Sequence, residues 1–189
     1  MEATIVKTLD VLDCREVGAE ATFTISSAKP GNGVEQLRDN NLDTYWQSDG
    51  AFPHTINVQF LKRASVSKLC LYLDYSTDES YTPKKISVSS GTCLHDLIDI
   101  STVELTEPNG WVTIDLNEYD LAGTFVAEED AYIRTHFLQV KVLAMHQNGR
   151  DTHIRQIKVL GPREAPRVVG DYSFDKFQTI DMQQFSVIR

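Results

Sequence analysis

The sequence contains little that would indicate secretion, membrane insertion or disulfide stabilisation. Its 189 residues include three cysteines, Cys14, Cys70 and Cys93, and this odd number lacks the Cys-x-x-Cys spacing typical of structural zinc sites. No stretch is long and apolar enough to cross a bilayer, charged residues interrupt the N-terminal segment, and no Asn-x-Ser/Thr acceptor occurs. We therefore expect an intracellular, reduced and soluble protein, and we predict no cofactor and no metal site.

Basic residues are also scarce. Eighteen Lys and Arg stand against 27 Asp and Glu, which gives a formal net charge of −9. Nucleic acid and anionic membranes both require a basic surface, so we expect neither as the main partner. The acid is concentrated in residues 117–135, where Arg134 is the single base against five carboxylates: Glu118, Asp120, Glu128, Glu129 and Asp130.

The signatures of common enzymes are missing. The chain has no Gly-x-Ser-x-Gly elbow, no His-Glu-x-x-His motif and no phosphate-binding loop. Gly31 and Gly33 begin a dinucleotide fingerprint, but the third glycine is replaced by Gln36. Asp39 to Asp43 resemble the start of a calcium loop, but the sixth position is Thr44, so we interpret these side chains as shaping a turn. We therefore predict that the protein is not an enzyme.

A period-two alternation of apolar and polar residues dominates the middle of the chain. Side chains alternate across a sheet, so this pattern predicts half-buried strands, and their number indicates an all-β sandwich or barrel. The alternating apolar sets are Ile56, Val58 and Phe60; Leu69, Leu71 and Leu73; Ile86 and Val88; Val112, Ile114 and Leu116; and Leu138, Val140 and Val142. The same reasoning predicts that Trp46 lies in the core.

Two short segments depart from this alternation. Ile154, Ile157 and Val159 cannot share one face of a regular strand, which predicts a bulge near Arg155 and Gln156. Residues 34–38 could form a single helical turn after a Gly-rich stretch. No helical pattern is sustained over three turns.

Two polar loops are candidates for binding. Residues 75–83 connect two predicted strands, and residues 146–153 form the densest polar run of the chain. Loops at the end of a rigid sandwich are common binding sites, because the scaffold fixes their backbone. From the residues alone, both a binding surface and plain solvated connections stay open.

Several motifs together resemble the DOC-domain family, whose members are subunits of the anaphase-promoting complex. The resemblance covers about residues 15–162 and the last residues. It rests on Lys29-Pro30-Gly31, Gly33-Val34-Glu35-Gln36-Leu37-Arg38-Asp39, Thr44-Tyr45-Trp46-Gln47-Ser48-Asp49-Gly50, Asp78-Glu79-Ser80-Tyr81-Thr82-Pro83, His146-Gln147-Asn148-Gly149-Arg150-Asp151-Thr152-His153 and the final Ile188-Arg189.

The resemblance implies an all-β jelly-roll sandwich related to galactose-binding and discoidin domains. We expect a DOC domain at residues 15–162, with flexible N- and C-terminal extensions at 1–14 and 163–189. The C-terminal extension begins with prolines and mixed charge, as a tail does, but packing of Tyr172, Phe174 and Phe177 onto the sandwich stays open.

The resemblance also implies a non-catalytic role in substrate recognition during mitosis and cell division. Such a subunit acts with a β-propeller coactivator as co-receptor for the destruction box, an Arg-x-x-Leu degron, and promotes processive ubiquitination in the nucleus and cytoplasm. The family's ligand loop matches His146, Gln147, Asn148, Gly149, Arg150, Asp151 and His153, and a neighbouring segment matches Asp78, Glu79, Ser80 and Tyr81. The family's Ile-Arg tail docks in a tetratricopeptide-repeat subunit, and it matches Ile188 and Arg189.

One departure from the family and three alternatives remain. The acidic segment at 117–135 is longer than we expect for the family, and we expect it to lengthen a loop between strands. The alternatives are a carbohydrate- or lipid-binding discoidin-like module, a hydrolase built on a β-sandwich, and a purely structural subunit. Binding on a glycan array would favour the first, loss of turnover in His153→Ala the second, and unchanged substrate binding after loop substitutions at 148–151 the third.

Overall fold

A computed structural model describes residues 4–7, 9, 14–116 and 132–163. Most of these residues lie in strands, as the alternation predicts. In chain order the strands are β1 (Thr4–Val6), β2 (Cys14–Glu16), β3 (Ala21–Ile25), β4 (Trp46–Gln47), β5 (His54–Val66), β6 (Lys68–Asp74), β7 (Pro83–Gly91), β8 (Ile98–Glu104), β9 (Asn109–Asp115), β10 (Ile133–Met145), β11 (His153–Ile154) and β12 (Gln156–Pro162).

Two antiparallel sheets make up the sandwich. One has the strand order β1-β9-β6-β12-β2, the other has the order β3-β5-β10-β7-β8, and β4 pairs with β11 as a small separate ribbon. Helical structure is short, as expected: α1 (Val34–Arg38), α2 (Tyr75–Asp78), and 3₁₀ turns at Gly18–Glu20, Glu79–Tyr81 and His146–Asn148. Among the described residues, no helix has the length and apolarity to cross a membrane.

The core lies between the two sheets. Leu69 and Leu71 of β6 are fully buried, and Val58 and Val140 of the opposite sheet meet them in the same apolar cluster. Trp46 is also fully buried, and its indole N–H donates to the carbonyl oxygen of Ser27 at 2.9 Å. The predicted jelly-roll class and the core position of this tryptophan are confirmed.

The N-terminal residues contribute to the sandwich. We predicted an extension at residues 1–14, but Thr4–Val6 pairs with β9, and Val6 and Leu9 pack on the outer face of the first sheet against Cys70 and Trp111. The described residues of this segment therefore contact the sandwich, while the domain boundary at residue 14 stays a prediction. Its weak alternation is explained by its position, because a short edge strand carries few side chains to bury.

The predicted bulge near Arg155 and Gln156 is replaced by a change of strand partner. The chain leaves β11 at Ile154, passes through Arg155 and enters β12 at Gln156, which pairs with β6. This break resets which face each side chain points to. Ile154 and Ile157 are consequently both fully buried.

Several predictions fall beyond the described residues. Residues 117–131 hold most of the acidic segment, and the tail from residue 164 onward holds Ile188 and Arg189. The three cysteines, all within the described part, are free thiols: Cys14 is half-buried, Cys70 is buried and Cys93 is exposed.

A candidate binding surface at one end of the sandwich

The two predicted binding loops meet at one end of the sandwich. One connects β6 to β7 and the other connects β10 to β11. Their backbones touch at Gly149, where an added Cβ would lie 1.9 Å from the carbonyl oxygen of Ser80. The amide of His146 donates to the carbonyl of Thr82 at 3.0 Å, which joins the loops a second time. Gly149 is therefore required by the close approach of the two backbones.

A buried ionic cluster fixes both loops to the sheet. Asp78 accepts two hydrogen bonds from the Arg155 guanidinium, one from Nε and one from Nη2, each at 2.9 Å. The Nδ1–H of His153 donates to the same carboxylate at 3.2 Å, and Arg155 Nη1 donates to the carbonyl of Leu42 at 2.8 Å. The side chains of Asp78 and Arg155 are 6% and 8% exposed, so the ion pair is shielded from solvent. A bidentate pair of this kind sets the orientation of both partners.

The electrostatics of the cluster keep both of its charges in place. Burial by itself raises the pKa of Asp78, but hydrogen bonds from His153 and Arg155 and their positive charge outweigh burial and lower it below its ordinary value. For Arg155, burial lowers the pKa, and the hydrogen bonds and charge of Asp78 raise it above the ordinary range. The ion pair therefore persists at neutral pH.

An aromatic stack encloses the histidine of this cluster. The His153 ring lies between Tyr45, with centroids 4.1 Å apart, and Tyr81, with centroids 4.3 Å apart and planes inclined by 9°. The Arg155 guanidinium lies 5.8 Å from the centre of the Tyr45 ring. Among the described residues, the Nε2 atom of His153 has no hydrogen-bond partner. Tyr81 remains 39% exposed, so one face of the stack borders solvent.

His146 is a second buried support. Its Nδ1–H donates to the carbonyl of Thr82 at 3.0 Å, and its Nε2 accepts from the amide of Glu107 at 3.3 Å. This pair of bonds assigns the proton to Nδ1. The Tyr75 ring packs against it at 4.9 Å between centroids. The histidine thus ties the 146–153 loop to the connections before β7 and β9.

The residues between these supports face solvent. Gln147, Asn148 and Arg150 are exposed, and Gln147 and Asn148 have φ angles of 50° and 57°. Left-handed conformations are uncommon for residues other than glycine, although asparagine tolerates them, and they are found at functional sites. The backbone carbonyl of Arg150 accepts from His54 Nε2 at 2.7 Å, which leaves the guanidinium free to extend outward. Asp151 is held by Lys29 at 3.1 Å.

The predicted site residues therefore divide into two groups. Asp78, His146 and His153 are buried and hold the loops in place, and Gly149 provides the close backbone contact. The other predicted residues lie at the surface or are half-buried: Glu79, Ser80, Tyr81, Gln147, Asn148, Arg150 and Asp151. The described part of the chain contains no group of three or more His, Cys, Asp or Glu side chains suited to a metal ion.

Sequence reasoning missed the two residues that complete the cluster, Tyr45 and Arg155. A signal existed for Arg155, because an arginine placed among buried apolar residues requires an anion. Nothing local indicated that this anion is Asp78, 77 residues away in the chain. The turn at Asp39 forms as predicted, with its carboxylate accepting from the amide of Asn41 at 2.8 Å and the hydroxyl of Thr44 at 2.6 Å.

Comparison with known proteins identifies a matching family and similar folds. The family model described as anaphase-promoting complex, subunit 10 (APC10) matches residues 2–187. The anaphase-promoting complex subunit 10 of Drosophila melanogaster is 49% identical over 175 residues, covering 93% of this chain and 85% of the relative. The human protein of the same name is 47% identical over 175 residues, covering 93% and 88% respectively.

Solved structures confirm the galactose-binding type of sandwich. The CBM32-1 and CBM32-2 domains of Clostridium perfringens ZmpB superpose with a TM-score of 0.66 at 12% identity, over 85% of this chain and 41% of that chain. At this identity the likeness concerns the fold alone.

Proposed function

Because this chain belongs to the anaphase-promoting complex subunit 10 family, we propose that it is a non-catalytic co-receptor for the destruction box within that ubiquitin ligase. In this proposal a β-propeller coactivator holds one part of the degron and the loop surface of this chain holds the rest. The result is processive ubiquitination during the cell cycle, in the nucleus and cytoplasm. The relatives supply the place in the complex, and the loop geometry supports the finer role.

The proposal rests on the contrast between buried supports and exposed polar side chains in the 146–153 loop. A buried ion pair, an aromatic stack and a buried histidine fix its backbone, while Gln147, Asn148 and Arg150 extend into solvent. Preorganised polar groups lose little entropy on binding. Arg150 suits carboxylate or carbonyl groups of a peptide, and Asn148 suits its backbone amides.

Weak contacts are sufficient for this function. A substrate that is already held by the coactivator meets the loop at a high effective concentration, because the second contact is intramolecular. The expected gain is therefore a longer residence time of the substrate, with more ubiquitins added per encounter. The chemistry of ubiquitin transfer itself is not altered.

The histidines of this surface support a non-catalytic role. Within the described residues, the rings of His54, His146 and His153 hydrogen-bond to backbone groups or to a carboxylate, and none of the three bonds to a serine or cysteine side chain. A hydrolase would require such a pair. Loss of turnover in a His153→Ala variant that remains folded would favour the hydrolase alternative.

The C-terminus provides the second proposed contact, with a tetratricopeptide-repeat subunit. Ile188 and Arg189 lie outside the described residues, and the proposal rests on their match to the family's Ile-Arg tail. An apolar pocket would take Ile188, and acidic groups would pair with Arg189 while donors meet the terminal carboxylate.

A reconstituted ubiquitination assay tests the co-receptor role. We expect Asn148→Ala/Arg150→Ala to add fewer ubiquitins per encounter to a destruction-box substrate, with unchanged entry into the complex. Lys84→Ala, which removes an exposed charge from β7, is the matched control. Ubiquitin chains of normal length in the double variant would favour the alternative that this chain is a purely structural subunit.

The carbohydrate-binding alternative has the same fold but no further support. The solved neighbours include a family 32 module of C. perfringens NanJ in complex with galactose, but at 16% identity the likeness extends to the fold alone. A glycan array with the full chain tests it directly. Reproducible binding that is lost in Arg150→Ala would favour the lectin-like function over the co-receptor.

A further inference from the structure

A basic groove lies at the end of the sandwich opposite the binding loops. It has a volume of about 920 Å³, and its lining includes Leu61 and five cationic side chains: Arg15, Lys62, Arg63, Arg134 and Arg163. Arg134 stands at the start of β10, whereas the 146–153 loop follows its end. A strand of 13 residues extends about 40 Å, so the two surfaces are well separated.

The charge of the groove is unusual for this chain. Among the described residues, Glu20 is the one carboxylate in its lining, and it pairs with Arg15 at 2.6 Å. Within the described ranges, no carboxylate forms an ion pair with Lys62, Arg63 or Arg134, while the net charge of the chain is −9. Arg63 instead donates to the backbone carbonyl of Arg134 at 3.4 Å, and Arg134 donates to the Tyr132 hydroxyl at 3.2 Å. Among the described residues, these like charges are thus held together without a carboxylate to compensate Lys62, Arg63 and Arg134, and their repulsion costs free energy that an anionic partner would relieve.

The backbone of β5 is irregular where it contributes Leu61, Lys62 and Arg63 to the groove. Thr135 pairs with Ala64 and Phe137 pairs with Gln59, so one residue of β10 opposes four residues of β5, at 60–63. A bulge of this kind redirects side chains and is common next to functional sites. Within it, Phe60 turns into the core at 4% exposure, whereas Leu61 is 90% exposed. The bulge therefore projects an apolar side chain between cations.

We propose that this groove docks an acidic segment of another subunit of the complex, one that carries an apolar side chain to cover Leu61. Charge complementarity supplies attraction and orientation, and burial of Leu61 supplies apolar contact. An acidic peptide fits better than nucleic acid, because the net charge of −9 repels a polyanion beyond the groove and the described lining residues include no exposed aromatic ring for base stacking. The inference is independent of the destruction-box role.

Site-specific photo-cross-linking in the assembled complex identifies the occupant. The probe is p-benzoylphenylalanine introduced in place of Leu61 in the full chain, with the same substitution at Leu143, which is 43% exposed on β10, as the control. We expect position 61 alone to cross-link to a segment of another subunit that has an excess of Asp and Glu. The proposal is overturned by cross-links to residues 117–131 of the same chain, to a second copy, to nucleic acid or to a segment without acidic excess, and by the absence of any cross-link.

Charge reversal tests the energetics with the same segment as a synthetic peptide. We expect Arg63→Glu/Arg134→Glu to bind the peptide about tenfold more weakly at low salt, and the difference to shrink in roughly 0.5 M salt. Lys84→Glu is the matched reversal at the other end of the sandwich. Thermal unfolding confirms that each variant is folded, and Leu61→Ser tests the apolar contact without a change of charge. Equal affinity of the double variant and wild type would refute the proposal.

Discussion

Asp78 accepts hydrogen bonds from both His153 and the Arg155 guanidinium. Replacing it with alanine would leave the Arg155 guanidinium buried without an anion. We expect Asp78→Ala to lower the free energy of unfolding by about 3–5 kcal/mol, measured by urea denaturation. The comparison variant is Asp151→Ala, which also removes a carboxylate from an ion pair in these loops, but whose partner Lys29 is 39% exposed. A smaller loss in Asp78→Ala than in Asp151→Ala would contradict the structural role of the buried cluster.

The same carboxylate makes a pH-dependent contribution to stability. The pKa of Asp78 is lower in the folded chain than its ordinary value of 3.8, so the unfolded chain binds the proton more readily. The stabilisation is therefore complete above about pH 4 and is lost as the pH falls through the folded-state pKa. We expect Asp78→Asn to be less stable than wild type at pH 6 and the gap to narrow towards pH 2, measured as Tm by calorimetry. A constant difference in Tm between the variant and wild type over this range would show that the ionisation of Asp78 does not contribute to stability.

β1 is an edge strand within the segment that we predicted as the N-terminal extension. It pairs with β9, and Val6 and Leu9 cover Cys70, whose burial raises its thiol pKa to about 11. We expect removal of residues 1–9 to cost about 2 kcal/mol, since two apolar side chains leave their contacts, and to shift the Trp111 fluorescence to the red. Removal of residues 1–3 alone is the control. Equal stability of the two truncations would show that β1 adds no stability to the sandwich and would favour the predicted extension.

The strands were largely predictable from the sequence, whereas their partners were not. Alternation identifies Leu69 and Leu71 as inward-facing because it depends on neighbours two positions apart. Arg155 separates β11, which pairs with β4, from β12, which pairs with β6. The pattern of neighbouring residues does not predict which strands pair with each other. The same limit applies to the site: the polarity of residues 146–153 is visible locally, but their contact with residues 78–81 is set by the fold.

In the whole molecule, the two proposed contacts of the co-receptor are predicted to be separable. Deletion of Ile188 and Arg189 should reduce retention in the complex, while Asn148→Ala/Arg150→Ala should reduce ubiquitins added per encounter by complexes that contain the chain. The reason is that the loop surface is fixed by contacts within the sandwich, including Asp78 with Arg155. Quantifying both readouts in the combined variant checks this expectation. Unchanged retention after the deletion would show that the sandwich alone suffices for assembly.

The buried cluster also constrains how this sequence can diverge. His153 and Arg155, two residues apart in the chain, both bond to the carboxylate of Asp78, which comes from the loop between β6 and β7. A change at any one of them leaves a buried group without its partner, so single substitutions are penalised before a second change can compensate. The exposed positions Gln147 and Arg150 carry no such coupling to a buried charge. The surface of the loop can therefore vary one residue at a time, whereas the residues that support it can change only together.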